Sequence, residues 1–131
     1  MIILFKHDTK KYVYDSASGA VIPLSSLQYK VAENVDFPMT SFCPTALRYQ
    51  LAKYDSGDVK QAYSYLYALY DRGVIGKEAE GAAILLDGEL SADSLELGRE
   101  LIDRIRSAGI SPDKITFLGD SPLKDGLKQY L

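Results

Sequence analysis

The stretch from Lys11 to Val31, KYVYDSASGAVIPLSSLQYKV, constrains this chain more than any other. Tyr12 and Tyr14 alternate with Val13, so the rings and the valine project to opposite faces of an extended segment. Asp15-Ser16-Ala17-Ser18-Gly19 follows as a hairpin loop, with Gly19 free to take a positive φ. Ala20 to Leu24 returns as a strand. Pro23 inside it has no N–H to give a ladder, so that strand should lie at a sheet edge or end there. Ser25 or Ser26 can then cap a helix, because a serine hydroxyl accepts from an orphan backbone N–H in the first turn. Leu27, Val31 and Val35 follow on one face of that helix. Strand, turn, strand and helix in so short a span require a small sheet that helices must cover.

The rest of residues 1–76 supplies the parts. Ile2 to Phe5 reads as a strand apolar on both faces, and Lys6 to Lys11 as a polar turn. Residues 36–44 form a loop. Pro44 suits the first turn of a second helix, Thr45 to Tyr54. Asp55-Ser56-Gly57 breaks that helix, and a third runs from Asp58 to Arg72 with Gly73 as its left-handed cap. The third helix carries two stripes. Val59, Ala62, Leu66 and Leu69 form an aliphatic one for the core. Lys60, Tyr63, Tyr67 and Tyr70 repeat the spacing, rotated by roughly 100°.

Lys77 to Gly81 shifts to small and charged residues and reads as a linker. Ala82 to Leu86 is a short strand, followed by Asp87-Gly88. Ser91 or Asp93 caps a helix reaching Ala108. Ile115 to Leu118 is another strand, and a short helix ends at Leu131. That order implies a parallel strand pair. The expected fold is α+β: a three-stranded antiparallel sheet with three helices, winged-helix-like, over 1–76, a linker at 77–81, and a small β-α-β-α segment over 82–131. About 50 residues bury too little surface to be secure alone, so the last segment should pack on the first unit or on a second copy.

Composition removes several function classes. The net charge is -3 and the pI about 5.1, where a nucleic-acid binder carries a basic face. No apolar run approaches the roughly 20 residues of a membrane span. MIILFKHD has a short apolar run with no charged segment ahead of it, and reads as a strand rather than a signal peptide. The single Cys43 fits a reducing cytoplasm. No Gly-rich phosphate loop, GxSxG or CxxC motif is present.

The order β-β-β-α-α-α over residues 1 to about 76 resembles the RiPP recognition element, the PqqD-like leader-peptide-binding domain of ribosomally made, post-translationally modified peptide pathways. The likeness is nearest to the version at the N-terminus of radical-SAM maturases of Cys-rich peptides. It is carried by Leu4-Phe5-Lys6, by Tyr12-Val13-Tyr14-Asp15 with Ser18-Gly19 four positions on, by Tyr29, and by Val59 to Ile75. A radical-SAM enzyme needs three clustered cysteines for its iron–sulfur cluster, and one Cys excludes that chemistry here.

The resemblance implies a non-enzymatic protein, without a cofactor, that binds a precursor's leader as an added strand. Ala20, Val21, Ile22 and Leu24 would form the edge. Tyr63, Tyr67 and Tyr70 would provide pockets, and Lys60 would meet an acidic leader residue. Strand addition has its own physical logic, since an edge exposes N–H and C=O groups that an extended peptide can satisfy. The implied partners are the leader peptide and a separate maturation enzyme in natural product biosynthesis, a radical-SAM enzyme among the candidates. A second copy of the chain is a further candidate partner; neither nucleic acid nor membrane is expected.

Three other readings compete. One is an assembly subunit whose edge and tyrosines meet another protein. Another is a winged-helix DNA-binding protein, although the third helix sets Lys60 and Arg72 against Asp58 and Asp71. The last is an enzyme or Mg²⁺ site built from Asp87, Glu89, Asp93 and Asp120 at strand ends, where caps and turns explain each carboxylate as well. His7 reads as a solvated turn residue. Cys43 stands at a helix start that favours a thiolate, but with no His near it in sequence it reads more readily as a buried structural residue.

Overall fold

The computed structural model describes residues 1–76, 78, 81–85, 95–119 and 122–131. Three strands, β1 (Ile2–His7), β2 (Lys10–Asp15) and β3 (Val21–Leu24), form an antiparallel sheet in the order β1-β2-β3. Both β1 and β3 are therefore edges, and β3 takes the edge position that Pro23 requires. β1 runs past Phe5 to His7, because the turn needs only Asp8 and Thr9, with Asp8 at φ 54°. Asp is among the residues that tolerate that left-handed region.

Helices α1 (Ser26–Asn34), α2 (Thr45–Gln50) and α3 (Ser56–Asp71) cover one face. Ser25 caps α1 in a capping box: its hydroxyl accepts from the Gln28 N–H, and the Gln28 side chain accepts from the Ser25 N–H. α2 is shorter than Thr45 to Tyr54. α3 starts earlier than expected, since the Asp55 carboxylate accepts the Asp58 N–H and makes Asp55-Ser56-Gly57 a helix start. Gly73, at φ 78°, closes α3, where its N–H donates to the Tyr70 carbonyl and the Val74 N–H to that of Leu69. The aliphatic stripe of α3 is buried, together with Val13, Leu24, Val31 and Leu47. α3 rests chiefly on α1, and α1 touches all three strands.

The C-terminal segment packs on the first unit. Its elements are β4 (Ala82–Leu85), α4 (Leu95–Ser107), β5 (Ile115–Leu118) and α5 (Leu123–Tyr130), with β4 and β5 parallel as expected. Leu86 and the Asp87-Gly88 turn lie outside the described residues, as do Ser91 and Asp93, the expected caps. So does most of the 77–81 linker. Phe5, Tyr12 and Tyr14 form one buried cluster with Ile84, Leu101, Ile102, Ile105 and Phe117. Phe5 and Tyr12 face each other across β1 and β2, with ring centroids 5.3 Å apart. The sheet thus has a packed layer on each face. The described residues form a mixed α+β fold.

Candidate functional site

The sheet's open edges are the places where this fold could take a strand, and strand phase decides what each edge offers. The β2–β3 register pairs Lys11 with Leu24, Tyr12 with Pro23, Val13 with Ile22 and Tyr14 with Val21. The Asp15 N–H donates to the Ala20 carbonyl at 3.0 Å, so odd-numbered β2 residues face β3. Antiparallel alternation then makes Val13–Ile22 and Lys11–Leu24 hydrogen-bonded pairs. Val21 and Pro23 turn their backbone groups away from the sheet. Pro23 consequently removes no ladder bond; what it removes is a donor from the free edge.

Of the expected edge residues, Val21 alone directs both N–H and C=O outward. Ala20, Ile22 and Leu24 face β2. The Leu24 side chain is buried in the helical core, and Ile22 packs against the same core. Val21 packs on the opposite face.

The second stripe of α3 does not form one surface. Tyr63 is only 2% exposed, and its hydroxyl donates to the Thr40 carbonyl at 2.7 Å. It belongs to the core and to the wall of a cavity of about 270 Å³ shared with Asn34, Asp36, Leu47 and Gln50. This burial corrects the expectation that Tyr63 offers a pocket to a peptide. Tyr67 and Tyr70 are half-buried and lie 6.1 Å apart, with Phe37 at 5.7 Å from Tyr70. Lys60 is exposed. Gly76 lies against the Tyr70 ring and bonds Asp15, which in turn pairs with Ala20. Those contacts place Tyr70 near the end where β3 begins.

The D-x-x-S-G turn serves the fold. Asp15 Oδ1 accepts from the N–H groups of Ala17 and Ser18, and Oδ2 accepts from that of Gly76. The Ser18 hydroxyl donates to the Val74 carbonyl at 2.7 Å. Motif and helix exit are thereby bolted together.

Other expected sites carry little chemistry. His7 Nε2 stands 3.7 Å from the Asp8 carboxylate at the turn. Burial pushes the Cys43 thiol up, and Arg48 and Lys60 offset this only in part. Asp87, Glu89, Asp93 and Asp120 lie outside the described residues. Among the described residues, no three His, Cys, Asp or Glu side chains gather as a metal site.

Several surface residues carry no periodic signal in the sequence. Phe42 and Tyr49 are 82% and 77% exposed, in a loop and on the short α2. Tyr29 on α1 lies beneath Lys6 of β1, with Nζ 5.6 Å from the ring centroid. Burial raises the Tyr29 phenol, Glu33 raises it further, and Arg104 of α4 and Lys30 pull it back.

Comparison with protein-family models and with curated proteins finds no match. Fold and edges define an α+β protein whose three-stranded sheet is open at both sides among the described residues. Among the described residues, no helix is long and apolar enough to cross a membrane.

Proposed function

We propose that this protein is a non-enzymatic peptide-binding module. It holds the leader segment of a ribosomally made precursor as an added strand on β3 and presents it to a separate modifying enzyme. The supporting observation is the β3 edge, where Val21 turns out a donor and an acceptor and Pro23 an acceptor, and no hydrogen bond from the described residues reaches them. Main-chain pairing there gives affinity with little demand on sequence. Tyr67 and Tyr70 supply side-chain selectivity, since tyrosine buries area with few rotors to freeze and keeps a hydrogen-bonding tip. Lys60 meets an acidic leader residue. The pairing takes place in the cytoplasm, to which a lone Cys43 is suited.

The test is an NMR titration of labelled protein with leader segments encoded by small genes beside its own. Shifts should centre on Val21 and on Tyr67 and Tyr70. Tyr67→Ala combined with Tyr70→Ala should weaken binding by roughly tenfold or more while circular dichroism stays unchanged. Unchanged affinity in the folded double variant removes the groove.

Phe42 and Tyr49 favour a second reading. Large aromatic side chains this exposed suit a protein interface, so the chain would act as an assembly subunit of a peptide-maturation system. Co-purification with the maturation enzyme, lost in Phe42→Ala with Tyr49→Ala, distinguishes it.

A further inference from the structure

The opposite edge of the sheet is better furnished than β3. Along β2, the residues that face β1 are the even-numbered ones, and the Ser16 N–H continues that phase by donating to the Met1 carbonyl. With the register Ile3–Tyr14, Phe5–Tyr12 and His7–Lys10, those three are the hydrogen-bonded pairs. Ile2, Leu4 and Lys6 therefore turn their N–H and C=O groups away from the sheet. None of the three is proline, so the edge offers three donors and three acceptors along about 14 Å of strand. No hydrogen bond from the described residues reaches these groups. The β3 edge offers one donor and two acceptors.

This edge also has charged walls. α1 and α4 cover opposite faces of the sheet, and both touch β1. Lys6 of β1 lies over the Tyr29 ring of α1, and the charge of Arg104 on α4 also lowers the Tyr29 phenol. Lys30 is paired with Glu33 at 3.7 Å and Arg104 with Glu100 at 3.1 Å. Lys6 meets no carboxylate among the described residues. Among the described residues, Lys6 is thus a cation at this edge without a carboxylate partner, on a chain whose net charge is -3.

We propose that the β1 edge takes an extended acidic peptide as an added strand, its main chain on Ile2, Leu4 and Lys6 and a carboxylate on Lys6. A second copy of this chain fits less well. A two-fold axis at Leu4 sets Lys6 against Ile2 of the second copy and leaves the cation unmatched. An axis at Lys6 sets two lysines face to face, where like charges repel. An acidic strand satisfies backbone and charge together. The inference stands apart from leader binding at β3, because the two edges lie on opposite sides of the sheet.

The experiment uses the full chain, isotope-labelled. It is titrated with a short synthetic peptide of valine and threonine carrying glutamate at alternate positions, and with the lysine counterpart. The glutamate peptide should shift the amides of Leu4, Lys6 and Tyr29 and protect the Leu4 amide from exchange. Lys6→Glu, at an exposed position, should weaken that binding roughly fivefold or more and should favour the lysine peptide. Shifts confined to Val21 would support the β3 reading and overturn this one. Equal binding of both peptides, silence at Leu4 and Lys6, or a concentration-dependent dimer through β1 in sedimentation would each overturn it too.

Discussion

At the scale of a residue, Asp15 does the most to hold the described chain together. It is fully buried, and its carboxylate accepts the N–H groups of Ala17, Ser18 and Gly76, each at 2.9 Å. Asp15→Ala would leave those three part-buried donors without that acceptor. Hydrogen bonds to a charged acceptor contribute about 1.5–3 kcal/mol each and are not additive, so a loss of roughly 3–5 kcal/mol is expected from the urea midpoint. Asp15→Asn keeps accepting oxygen and should lose less. A cost under about 1 kcal/mol for the alanine variant would show that water replaces the carboxylate. The local half of this role is readable in the sequence, because an Asp at a turn bonds the backbone two and three residues on. The Gly76 bond spans 61 positions and has no local signature. Tyr63 was illegible for a related reason. Helical spacing sets it in line with Tyr67 and Tyr70, but whether it is covered depends on where residues 35–44 carry Thr40.

At the scale of elements, β4 is joined to the hairpin loop rather than to a sheet edge. The Ala83 N–H donates to the Ser16 carbonyl at 2.8 Å and the Leu85 N–H to that of Gly19 at 3.3 Å. Gly19 sits at φ 76°, and a Cβ there would stand 2.9 Å from the Ala83 oxygen, so the loop must be glycine to let β4 approach. The Tyr14 hydroxyl completes the joint by donating to the Ala83 carbonyl at 2.7 Å. Burial, and then the charge of Asp15, hold the Tyr14 phenol far above its ordinary value. In the unfolded chain that phenol ionises from about pH 10, so above that pH the unfolded state binds fewer protons than the folded one. Stability should be unaffected below about pH 10 and fall as pH rises further toward the folded value. Tyr14→Phe should cost about 1 kcal/mol at neutral pH through the lost bond, and should flatten the alkaline decline. Thermal midpoints from neutral to about pH 11 measure both, and an unaltered slope in Tyr14→Phe would place the titrating group elsewhere. The elements themselves were largely legible, since strand alternation, the serine cap and the glycine helix stop are local. The joint was not, because nothing in DSASG announces a strand more than sixty residues away.

At the scale of the molecule, the question is whether residues 1–76 stand alone. Tyr12 and Tyr14 alternate with Val13, a pattern that equally suits an antiparallel sheet with one wet face, and their polar tips give no sign that the rings are covered. The packing decides it: Phe5, Tyr12 and Tyr14 are at most 3% exposed, against a layer drawn from β4, α4, β5 and α5. Each such ring buries about 150–250 Å². At about 25 cal/mol per Å², uncovering half of the face formed by these three rings forfeits roughly 6–9 kcal/mol, comparable with the whole stability of an ordinary domain. The apolar patch left behind would be of the size that drives association. A protein ending at Gly76 should therefore bind a hydrophobic dye, self-associate, and lose the cooperative urea transition of the full chain. Both edges would remain in that fragment, so its failure to bind peptide would report lost sheet integrity rather than lost contacts. A monomeric, dye-silent fragment with full-length stability would instead show that the second layer is dispensable to the sheet. The C-terminal segment would then matter only for what its helix α4 adds where it touches β1.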